Sequence, residues 1–65
     1  MRDPNRIPIV LKKIEIAWSK VPDWRLSQLI CNASFELNRE DPFHIEDDLL
    51  IKGINRVVEK YNNET

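Results

Sequence analysis

Apolar residues recur along this chain at intervals of three and four, in three blocks divided by short polar segments that carry proline. In the first block Ile7, Val10, Leu11, Ile14, Ala17, Trp18 and Val21 fall on one face at 100° per residue, which predicts a helix over about 6–20. Asp3-Pro4 reads as a turn ahead of it. A start near Asn5 keeps Pro8 inside the first turn, where its missing N–H leaves no helical bond unmade. Pro22 disfavours helical geometry at Val21, so the first helix ends there, and Asp23 is placed to cap the next.

The second block predicts a helix over about 24–37. Leu26, Leu29, Ile30, Ala33 and Leu37 share one face, while Trp24, Cys31 and Phe35 gather on another. A helix apolar on two sides is expected to be covered from two sides. This middle helix is therefore expected to be the one on which the other two pack, unless a second subunit covers one of its faces. Asn38 to Pro42 is a charged, turn-rich connection, and the alternation of Phe43, His44 and Ile45 predicts a short extended piece near 43–45.

Glu46, Asp47 and Asp48 open a third helix over about 47–61, where acids complement the positive end of the helix dipole. Its stripe is Leu50, Ile51, Ile54, Val57, Val58 and Tyr61. Gly53 lies off that stripe and permits close approach of a neighbour; residues 62–65 are expected to fray. The expectation is one all-α domain, a small three-helix bundle, with the indole N–H of Trp18 seeking a backbone acceptor within the core.

Size limits this core. At 65 residues the chain buries only about 60% of its unfolded surface. One cysteine excludes an internal disulfide, and one cysteine with one histidine excludes the usual four-ligand zinc sites. Stability is left to helix packing or to self-association. A single thiol fits a reducing compartment. The opening residues are polar and Lys12 and Lys13 break the following segment, so no signal peptide is read, and no run reaches the ~18 apolar residues of a membrane span. The expected location is the cytoplasm, away from the membrane.

The search for chemistry returns little. A glycine-rich phosphate loop needs several glycines and the chain has one. Cys31 sits mid-helix among apolar neighbours, with no adjacent base to activate it. The acids look solvated, and three consecutive acids cannot converge on one ion. No catalytic residue, cofactor or metal is expected, and the chain is not read as an enzyme.

Charge is uneven. Residues 1–32 carry six bases and three acids, for +3; residues 33–65 carry four bases and eight acids, for −4. The two halves are expected to attract each other on folding. A weak nucleic-acid binder using Arg2, Arg6, Lys12, Lys13, Lys20 and Arg25 is the alternative function, disfavoured by a pI of 5.7 and by the acids that open the third helix. The favoured reading is a protein–protein interaction module. Its anchors would be Trp24, Arg25, Gln28 and Phe35, with Ile9 and Ile16 as a second surface. Those two isoleucines lie seven residues apart, opposite the core stripe and bordered by lysines. The partner would be another protein, a second copy of this chain included.

Three segments carry a resemblance: Met1-Arg2-Asp3-Pro4-Asn5-Arg6-Ile7, the run from Trp18 to Ile30, and Asp41-Pro42-Phe43-His44-Ile45-Glu46-Asp47-Asp48. Together they resemble a group of short bacterial and phage or prophage proteins of unknown function. More distantly, the spacing of Trp18, Pro22-Asp23, Leu26-Ser27-Gln28-Leu29 and Asp47-Asp48-Leu49-Leu50 resembles the YihD-like family. The resemblance covers most of the chain and implies a small helical cytoplasmic protein. It supplies no catalytic residue.

Overall fold

A computed structural model describes residues 3–64. The fold is all-α: three helices packed together, with no strand among the described residues. They are α1 (Arg6–Trp18), α2 (Leu26–Glu36) and α3 (Asp47–Glu64), with a 3-10 turn over Pro42–His44 before the last. The expectations for Met1, Arg2 and Thr65 fall outside the described residues.

Each boundary has a local cause. The Asp3 side chain accepts the Asn5 N–H at 2.9 Å, and the Arg6 and Ile7 N–H groups reach back to the carbonyls of Asp3 and Pro4, so α1 opens with Pro8 in its first turn. At its far end the bonds tighten: Lys20 N–H donates to Ala17 and Val21 N–H to Trp18, each spanning three residues. Helical pairing thus gives way to turns two residues earlier than the periodicity alone suggests. Pro22 continues the break, and Trp24 N–H donates to Val21.

The second helix begins at Leu26, after Trp24, and Asp23 does not cap it. Arg25 holds the extended N-cap geometry instead, at φ −74° and ψ 154°. Its N–H donates to Gln28 Oε1 at 2.7 Å. That is half of a capping box; the other half is missing because arginine has no acceptor to offer.

α2 ends at a left-handed residue. Asn38 has φ 58°, its N–H donates to Phe35 O at 3.0 Å, and Arg39 N–H donates to Ser34 O at 2.9 Å. These are the two bonds of a Schellman motif, with asparagine in the position glycine usually takes. Past it, Asp41 accepts the Phe43 N–H at 2.9 Å and Pro42 starts the 3-10 turn. Residues 43–45 are therefore not an extended strip: Phe43 and His44 are coiled, and the extended backbone is confined to Ile45, which caps the turn. Asp-Pro-X is a turn-forming unit here, and it outweighs the apolar–polar alternation.

The hub of the bundle is α3, not α2. Both other helices pack on α3, and they meet each other marginally. Laid out at 100° per residue, the apolar arc of α3 from Leu49 through Val57, Leu50, Ile54 and Val58 to Ile51 spans roughly 200°, enough for two neighbours. α2 takes one edge of that arc. Gly53 is buried there, and a Cβ on it would lie 2.9 Å from the Leu37 side chain and 3.0 Å from the Ala33 carbonyl. Trp24 stacks edge-on against Tyr61 at 5.2 Å, and Lys60 pairs with Glu36.

α1 takes the other edge. Arg6 pairs with Asp47 where α1 and α3 both begin, and Lys20 shares a groove with Val58 and Asn62 toward the far end, so the two helices run parallel. The fully enclosed core is six residues, two from each limb: Ala17 and Val21, Leu29 and Ala33, Ile54 and Val58. Ser34 is buried beside them, its hydroxyl donating to Ile30 O at 3.1 Å. The third helix also runs through Glu64 rather than fraying from residue 62.

Candidate functional site

The six residues expected to meet a partner do not form one surface. Trp24 is half-buried and serves the fold: its ring lies against Tyr61, and its carbonyl accepts the Trp18 indole N–H at 2.7 Å. The backbone acceptor expected for Trp18 is thus supplied by the turn between α1 and α2. Arg25 and Gln28 are exposed, but both are engaged in starting α2. Gln28 also lines a small depression with Trp24 and Asn32. Phe35 stands out on the far side of α2, 68% exposed, and Cys31 one turn before it is exposed rather than buried. The second cover expected for α2 over Cys31 and Phe35 is not supplied by the described residues.

Ile9 and Ile16 are exposed, as their position opposite the core stripe implies. Lys12 and Lys13 on the same helix, and Lys20 just past its end, are exposed with them. The surprise on α1 is elsewhere. Ile7 and Leu11, placed in its core stripe by periodicity, are 48% and 58% exposed. Only Ala17 of this thirteen-residue helix is buried, with Ile14 and Trp18 partly covered. Periodicity identified the face correctly; the cover over that face stops short. A further large apolar group missed by sequence reasoning is Phe43, the most exposed of all at 81%, held edge-on to His44 at 4.8 Å.

The concavities are open grooves. One of about 340 Å³ is lined by Lys20, Asn55, Val58, Glu59, Asn62 and Asn63. Another follows Arg6, Glu46, Asp47 and Asp48. Among the described residues no three His, Cys, Asp or Glu side chains come together as a metal site, and no helix is long and apolar enough to cross a membrane. The basic set proposed for phosphate is partly committed: Arg6 faces Asp47, and Lys12 faces Glu15 at 2.9 Å. Arg6–Asp47 also joins the basic half of the chain to the acidic half.

Comparison with known proteins adds no relative: no family model, no curated protein and no solved structure matches the chain.

Proposed function

We propose that this protein is a small, non-enzymatic helical module that works by binding another protein. The observation that carries this is the distribution of uncovered apolar side chains. Ile7, Ile9, Leu11 and Ile16 project from a single helix, and Phe35 and Phe43 from the opposite limb, all roughly half exposed or more. Scattered apolar residues are ordinary on a surface, but α1 carries two uncovered apolar lines on opposite sides, Ile7 with Leu11 and Ile9 with Ile16, and such exposed apolar surface is of the kind that marks interaction sites. Open grooves and a thin core suit recognition by surface contact better than enclosure of a small substrate. The resemblance to short bacterial and phage proteins is compatible with an accessory role of this type in the cytoplasm.

Size-exclusion chromatography with light scattering, run on native cell extract containing the tagged chain, tests the proposal. The expected result is elution in a complex well above 7.7 kDa. The complex should be weakened by Leu11→Lys or Phe35→Ala, with helical content unchanged. Elution as a bare monomer, unaltered by either substitution, would overturn it.

A further inference from the structure

We infer that the occupant of the Ile7–Leu11 face of α1 is a second copy of this chain, docked α1 against α1 about a two-fold axis. The inference deepens the interaction-module reading and rests on it. Two independent observations support it. The first is area. A folded monomer of 7.7 kDa exposes about 4,300 Å², by the usual scaling with mass. This chain exposes 5195 Å². The surplus of about 900 Å² is close to the ~800 Å² that each partner contributes to a standard protein interface. The molecule is correspondingly thin, 41 × 24 × 17 Å, with a radius of gyration of 11.8 Å where a compact chain of this length has about 10.7 Å.

The second is charge, which sorts the two apolar lines on α1. Along Ile9 and Ile16 the bordering charges on one side are Lys13 and, just past the end of α1, Lys20, with no acid between them on that side. A second copy laid along that line would bring lysine onto lysine. Along Ile7 and Leu11 the bordering charges are Lys12 and Glu15, which already pair with each other at 2.9 Å. They enclose a shallow depression with Pro8 and Leu11. This face carries no net charge to repel its own copy. It also continues the Ile14–Trp18 line that packs against the core, so a second copy would extend an existing apolar surface.

In this arrangement Leu11 lies nearest the axis, and Ile7 reaches the partner's Ile14. The contact is isologous and closes at two copies.

Sedimentation equilibrium on the purified full chain tests this. The expected mass at high concentration is about twice 7.7 kDa, falling on dilution. Leu11→Lys should raise the dissociation constant by about tenfold or more, while Ile9→Lys leaves it within about twofold. Leu11 is mostly exposed, so its replacement leaves the six-residue core intact, which circular dichroism checks. Methyl spectra of the unaltered protein give a second readout: on dilution the Ile7 and Leu11 signals should shift and those of Ile9 and Ile16 should not. A chain that stays monomeric at about millimolar concentration, or a dimer indifferent to Leu11→Lys and disrupted by Ile9→Lys, would overturn the inference. The interaction-module reading fails separately, if the chain also elutes bare from native extract.

Discussion

At the scale of single residues, the turn chemistry is where this sequence departs most from simple rules. The indole N–H of Trp18 donates to the Trp24 carbonyl, tying the end of α1 to the entrance of α2 across six residues. Trp18→Phe keeps most of the apolar contact and removes the donor. The expected cost is about 1 kcal/mol, the net worth of one such bond, read as a lower urea midpoint with unchanged slope. Asn38 offers the converse case. It occupies the left-handed position that closes α2, a conformation asparagine tolerates and β-branched residues resist. Asn38→Gly should leave stability level or raise it by up to ~1 kcal/mol, and Asn38→Val should lower it by about 1–2 kcal/mol, with thermal unfolding as the measurement. The Asn-Arg-Glu-Asp-Pro run announces a turn in the sequence, but not that Ser34 would be folded inward beneath it. There its hydroxyl donates to the Ile30 carbonyl one turn back, so the buried polar group is satisfied within α2 itself.

At the scale of elements, three helices, their order and most of their extent are legible in the periodicity, because 3.6-residue spacing is a local property. The choice of hub is not local. α2 looked central because its apolar residues fall on two faces, yet Phe35 and Cys31 on the second face are exposed. The informative quantity was the width of the continuous apolar arc, and α3 has the widest, together with the greatest length at 18 residues. Gly53 then decides which edge α2 occupies, since only there can its backbone come close. Gly53→Ala is a contest between two terms of similar size. Ala favours the helix by about 1 kcal/mol, while a Cβ 2.9 Å from Leu37 and 3.0 Å from the Ala33 carbonyl forces α2 outward. Leu37 can swing aside, but the carbonyl belongs to the facing backbone and cannot. Net destabilisation of about 1 kcal/mol is expected, and the Leu37→Ala background should recover part of it. A fully additive double mutant in chemical denaturation would show that the two positions do not touch in solution.

For the whole molecule, the consequence of one hub is that there is no second core to fall back on. α1 and α2 each lean on α3 and scarcely on each other, so removing an apolar group from the centre of α3 loosens both. Ile54 is fully buried within the cluster that joins all three limbs. Truncation of a buried isoleucine to alanine costs about 2–5 kcal/mol, against a total of about 3–10 kcal/mol for a chain of this size. Ile54→Ala should therefore leave a substantial unfolded fraction at 25 °C, seen as reduced ellipticity at 222 nm that a stabilising osmolyte restores. Arg6→Gln makes the useful contrast. It breaks the Arg6–Asp47 ion pair between the N-terminal ends of α1 and α3, but both side chains are about a third or more exposed, so the loss should stay within ~1 kcal/mol. The stability of this fold is thus set by a few apolar contacts along α3. A reversal of that order, with Arg6→Gln unfolding the chain and Ile54→Ala silent, would mean that charge attraction between the two halves holds the bundle together.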